Sequence, residues 1–123
     1  MAERYSSFNA GSTLWFLQRV TAAILVVTLM FHFFWLHFVN HAADITFAGT
    51  EYRMEQLGYL LTLLIFLIAA AFHGINGVYN ALINQGLTGT PKRALKWVLV
   101  VAGVVLVVQG FRVAAAMSGG SLL

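Results

Sequence analysis

Residues 57–83 read LGYLLTLLIFLIAAAFHGINGVYNALI, 27 residues without a single Asp, Glu, Lys or Arg. As an α-helix rising 1.5 Å per residue the stretch is about 40 Å long, enough to cross a hydrocarbon layer of about 30 Å. Lipid offers the backbone no hydrogen-bond partner. A lone apolar run of this length is therefore a helix, because a strand would leave its amides unpaired. Outward from it lie two segments of the same kind, near residues 14–39 and 95–117. The expected fold is all-α: an integral membrane bundle of three helices, up-down-up, forming a single transmembrane domain over residues 1–123.

Composition agrees. Of 123 residues, 60% are hydrophobic and only 9% charged, against about 25% charged in an ordinary soluble domain. So few charges cannot clothe a water-facing surface. There is no cysteine, which excludes disulfides, thiolate zinc and iron–sulfur clusters built from this chain alone. The net charge of +3 is too dispersed for nucleic acid. The N-terminal stretch, with Glu3, Arg4 and Asn9, precedes an apolar run too long for a signal peptide and lacks an Ala-x-Ala site. The first helix is therefore expected to be retained. Ser12 or Thr13 could cap it, and Pro91 is placed in the second loop, where its missing N–H costs nothing.

Loop one contains Asp44, Glu51, Arg53 and Glu55; loop two contains Lys92, Arg93 and Lys96. The positive-inside rule then puts the N-terminus and loop two in the cytoplasm, and loop one and the C-terminus outside. Trp15, Trp35, Tyr52, Tyr59, Tyr79 and Trp97 fall near helix ends, as an aromatic belt would place them.

Polar side chains inside a bilayer are costly and are functional or interhelical glue. The first span carries Gln18, Arg19 and Thr21 at one end, and His32, His37 and His41 toward the other. The second carries His73, Asn76, Asn80, Asn84 and Gln85; the third, Gln109 and Arg112. His73 lies about 24 Å along its helix from Leu57, in the inner half of the membrane. Around it stand Ala69, Ala70, Ala71, Phe72, Gly74 and Gly77, small enough for a second helix or a flat macrocycle to approach. Its imidazole could bind haem iron or simply hydrogen-bond to another helix. His32 lies about 20 Å in from Arg19, which puts it roughly 10 Å from His73 in depth if the helices stand upright. The two should not share one iron. Each would meet a ligand from another chain, or only one is a ligand. His37 and His41 read as interfacial. Arg19 could snorkel, or could join Trp15, Gln18 and Thr21 in a polar pocket with an aromatic wall, suited to a quinone carbonyl or a haem propionate.

No Gly-rich phosphate loop, Ser/His/Asp nucleophile set or carboxylate pair is present. No carboxylate falls inside a span, as an ion or proton transporter would want. The polar set fits electron transfer instead.

Three pieces of the chain resemble one family. Gln18-Arg19-Val20-Thr21-Ala22 is similar to the Arg-x-Thr-Ala that opens an anchor helix. His73-Gly74-Ile75-Asn76-Gly77 followed by Asn84 is similar to His-x-x-x-Gly-x-x-x-x-x-x-Asp. The third piece is the layout of three spans with a Pro-Lys-Arg loop before a Val-rich last helix. The chain thus resembles the second, D-type membrane anchor of succinate dehydrogenase (succinate:quinone oxidoreductase, complex II). The resemblance implies a haem b held between anchor helices with His73 as axial ligand, and Arg19 near its propionates and the quinone site. It implies as partners a second membrane-anchor subunit, an iron–sulfur subunit and a flavoprotein subunit that holds the succinate-oxidising site. The chain itself would be a non-catalytic subunit in the inner (cytoplasmic) cell membrane. Where the family has aspartate, Asn84 stands, and Gln85 replaces the neighbouring tyrosine; Asn84 can hydrogen-bond a quinone but cannot relay a proton. Two-haem members carry a first-helix ligand fourteen residues after a polar residue, the spacing of Gln18 to His32. His32 is therefore expected on an outer haem and His73 on an inner one, with menaquinone or ubiquinone as substrate. A fumarate reductase anchor and a free-standing membrane b-type cytochrome are the alternatives.

Overall fold

The computed structural model of the chain describes residues 11–119. Glu3, Arg4 and Asn9 lie outside the described residues. Among the described residues there are four α-helices: α1 (Gly11–Phe34), α2 (Phe47–Glu55), α3 (Leu57–Asn84) and α4 (Gly89–Met117). Three stretches are long and apolar enough to span a membrane: Thr13–Val39, Leu57–Asn84 and Gly89–Met117. The expected three-helix membrane bundle is what forms, with no strand among the described residues. Its arrangement is a row. α3 lies between α1 and α4, and those two do not pack on each other.

The boundaries differ from expectation in instructive ways. Ser12 and Thr13 lie inside α1 rather than at its cap. The α-helical part of the first span ends at Phe34, and Trp35–Val39 continue it as a wider π-helical turn. His41 then adopts φ 53° and swings the chain out of the helix. The first loop holds a helix of its own. Thr46 caps α2 by accepting the Gly49 N–H at 3.1 Å, the role for which a hydroxyl at an N-cap is preferred. At the far end of α3, Gly86 takes φ 95°, and the Leu87 N–H reaches back to the Leu82 carbonyl at 3.3 Å. A glycine-terminated helix closes in this way. The third span begins at Gly89 rather than near Leu95, so Pro91, Lys92, Arg93 and Lys96 are helical. Pro91 is tolerated because the first-turn N–H groups of a helix have no intrahelical partner anyway.

Packing is concentrated where α2 meets the start of α3 and the end of α4. Leu60 is 1% exposed, with Met54, Tyr59, Leu64 and Ala114 buried about it and Leu63 and Met117 beside them. Further along, α4 approaches α3 through glycines. A Cβ on Gly103 would collide with Ile75, and one on Gly110 with Leu67. Close helix approach over small residues is the usual solution where lipid supplies no hydrophobic drive between helices.

Candidate functional site

At the other end of α3, its polar residues face those of α1. The Gln18 amide bridges the two helices. Its Nε2 donates to the His73 carbonyl at 3.1 Å, and its Oε1 accepts from Asn76 Nδ2 at 2.8 Å. Gly77 makes this possible, since a Cβ there would sit 3.2 Å from the same amide nitrogen. Asn76 is itself buried, and its carbonyl accepts from Asn80 Nδ2 at 2.7 Å.

The His73 ring is fixed by α1. Nδ1 lies 3.2 Å from the Gln18 carbonyl and 3.2 Å from Thr21 Oγ1. A carbonyl can only accept. The Thr21 hydroxyl donates backwards, to the Leu17 carbonyl at 2.7 Å. In the neutral ring these contacts put the proton on Nδ1 and leave the lone pair on Nε2. An imidazole whose Nδ1–H is held by a backbone carbonyl is the arrangement that orients a metal-binding histidine. Beside it, Gly74 has nothing within 4 Å of where a Cβ would be. An apolar groove of about 310 Å³ lined by Leu17, Thr21, Ile24, Ile65, Ile68, Ala69 and Phe72 runs along the same α1–α3 junction.

His32 is placed elsewhere. Its Nδ1 is 3.3 Å from the Tyr59 hydroxyl. Tyr59 is buried at 8% exposure, a core residue rather than a member of an aromatic belt. Thr21 faces His73 and Tyr59 faces His32. The two histidines are thus separated by eleven residues of α1, or fourteen of α3, about 17–21 Å along the helices. This is larger than the 10 Å expected. The smaller spacing follows from equal span edges, whereas the Thr21–His73 and Tyr59–His32 contacts fix a different register of α1 on α3. His37, in the π-helical turn, bonds the Phe33 carbonyl through Nδ1 at 3.0 Å and stacks on the Phe33 ring with centroids 4.1 Å apart.

Arg19 is exposed and lies over the Trp15 ring, 4.2 Å from its centroid, a cation–π geometry. Gln18 does not share that outward position, because both ends of its amide are committed to α3. Asn84 is at the last residue of α3, about 14 Å further along the bundle than Arg19 if the contact register is carried on. The structure thus joins Gln18, Thr21 and His73, keeps Arg19 with Trp15, and does not bring Asn84 to them. Asn76 was visible in the sequence only as a polar residue. Its spacing of three from His73, matching Gln18 to Thr21, was the signal for a shared interface. Among the described residues no three His, Cys, Asp or Glu side chains converge to hold a metal ion.

Residues 2–111 match the model of the succinate dehydrogenase/fumarate reductase transmembrane subunit family. The chain belongs to that family. No curated relative and no solved structure gives a significant match. Membership makes the chain a multi-pass membrane subunit of a dehydrogenase or reductase complex, and so implies partner subunits. The resemblance seen in Gln18–Ala22 and His73–Gly77 pointed to this family.

Proposed function

We propose that this chain is the haem b-binding anchor of a succinate dehydrogenase, docking the flavoprotein and iron–sulfur subunits with a second anchor and helping to form the quinone site. The observation that carries the haem assignment is the His73 tautomer: Nδ1–H held by the Gln18 carbonyl and Thr21, Nε2 left as a lone pair. The open ground at Gly74 suits a flat macrocycle. A haem bound there supplies one-electron storage between the iron–sulfur subunit and the quinone.

The chain's own part is to orient. Gln18 and Asn76 clamp α1 to α3, and Thr21 and the Gln18 carbonyl hold the ring through Nδ1, leaving Nε2 as the nitrogen that would bind iron. Arg19, stiffened by Trp15, offers a planar fork for a propionate or a quinone oxygen. Asn84 serves as a separate quinone contact nearer the helix end. His32 would hold the iron of a second haem, with its Nδ1 against the Tyr59 hydroxyl. The separation of about 17–21 Å along the helices gives each histidine its own iron. The N-terminus and the α3–α4 loop face the cytoplasm, because Lys92, Arg93 and Lys96 cluster in the first turns of α4 beside that loop.

A reduced-minus-oxidised spectrum with haem counted per flavin tests this. Two b-type haems are expected. One would remove the assignment of His32, and none would remove that of His73. The family description covers both directions of turnover. Comparing succinate oxidation with fumarate reduction on the native quinone separates the two, and a fumarate reductase would be the faster in the second.

A further inference from the structure

We propose that the outward face of α4, the seam Val98, Val101, Val105, Val108 and Arg112, docks a transmembrane helix of a different polypeptide that carries a carboxylate level with Arg112. This rests on the reading of the chain as one subunit of a complex, and not on its cofactors.

Arg112 is nine residues from Gly103, half a circle round the helix at 100° per residue. Gly103 and Ala114 are buried, so the seam points away from α3. Each of its four valines is more than half exposed, and α1 does not touch α4. The spacing 98, 101, 105, 108, 112 alternates three and four, the repeat that keeps one stripe facing a partner helix. Valine is rigid at χ1 and loses little freedom when packed.

Lipid alone is a poor cover for this face, because of Arg112. Lys92, Arg93 and Lys96 hold the first turns of α4 out of the hydrocarbon, and about 20 residues counted from Val98 end near Met117. Arg112 lies inside that stretch. Side chains on a helix lean toward its N-terminus, and Arg112 does so: Nη1 donates to Gln109 Oε1 at 3.4 Å. Its charge is thus drawn about 12 Å below the end of α4, away from the nearer headgroups. Gln109 brings no negative charge to offset it. A two-fold pair of this chain sharing this face sets Arg112 against Arg112, and in any other pairing a second copy has no Asp or Glu within its spans to meet the charge. A carboxylate on another helix pairs with the planar guanidinium in two parallel hydrogen bonds.

The test uses native membranes. Arg112→Lys keeps the charge and introduces an amine. A lipid-soluble carbodiimide activates a nearby carboxylate as its O-acylisourea; the amine attacks, an amide forms and the urea leaves. The expected product is an amide to an Asp or Glu of another polypeptide, seen by peptide mass spectrometry and missing from the wild type. Photo-reactive side chains placed at Val101 and Val105 should label that same polypeptide. Photoadducts with lipid alone, adducts with a second copy of this chain, an amide to a haem propionate, or no amide at all would each overturn the proposal. Copurification of a flavoprotein and an iron–sulfur polypeptide is scored separately. If they copurify while the photoadducts are lipid alone, the docking face falls and the complex stands.

Discussion

The two ends of α3 are held by opposite means. Around Leu60 the helix is gripped by apolar side chains from α2, α4 and its own next turn. Around His73 it is gripped by an amide, a hydroxyl and a backbone carbonyl from α1. The apolar end gains from contact in any register that fills the space. The polar end works in one register alone, because each donor has a particular acceptor. A site that must present one imidazole nitrogen needs the second kind of grip. A structural end needs only the first. The contrast predicts that mutations at the His73 end change cofactor chemistry with little loss of stability, and that mutations at the Leu60 end do the reverse.

His73→Ala should have the largest effect on this contrast. All haem bound through His73 is lost, half of the total in a two-haem complex, while the subunits still assemble. Pyridine haemochrome per flavin measures it. Unchanged haem content would reduce the Gln18–His73–Asn76 cluster to interhelical glue.

Leu60→Ala tests the opposite end. Truncating a side chain that is 1% exposed leaves a cavity and should cost about 2–5 kcal/mol. Thermal unfolding in detergent should show the loss, with haem per flavin unchanged. Gln18→Met comes next. It keeps the length but removes both interhelical hydrogen bonds of the amide. At about 0.6 kcal/mol for an average membrane hydrogen bond, the loss should be near 1 kcal/mol. Its clearer signature is a shifted midpoint potential of the haem at His73, because the Gln18 carbonyl that orients the ring is no longer clamped. A cost as large as that of Leu60→Ala would erase the distinction between the two ends.

How much of this the sequence disclosed depends on the range of the interaction. The spans were legible because hydrophobicity over 20 residues is a local sum. His73, Gln18, Arg19 and Thr21 stood out because polar groups are conspicuous in apolar runs. Helix α2 was missed, since Phe47–Glu55 is short and mixed, with Met54 its only buried residue. The start of α4 lies earlier than expected: Pro91 suits the first turn of a helix, and Lys92, Arg93 and Lys96 are carried in the helix although cations there oppose its dipole. The pairing of Tyr59 with His32 and of Gln18 with Asn76 depends on how α1 slides against α3. That register is fixed by contacts between residues more than twenty-five positions apart, and no single-span pattern encodes it. Gly103 and Gly110 likewise acquire meaning only opposite Ile75 and Leu67.

Tyr59→Phe should have the smallest effect and separates the two histidines most finely. At His73 the partner of Nδ1 is a carbonyl, which accepts and nothing else, so the tautomer is settled. At His32 the partner is a phenol, which can accept from Nδ1–H or donate to a bare Nδ1. Only in the first case is Nε2 a lone pair for iron. Removing the hydroxyl should cost about 0.6 kcal/mol of stability and leave haem content unchanged. If His32 is a ligand, the imidazole loses the acceptor that strengthens its donation to the metal. One of two components in a redox titration should then move while the other, held by the Gln18 carbonyl, stays. If neither component moves, the phenol is donating, Nε2 carries the proton, and His32 belongs with Leu60 and Tyr59 to the structural end of the bundle.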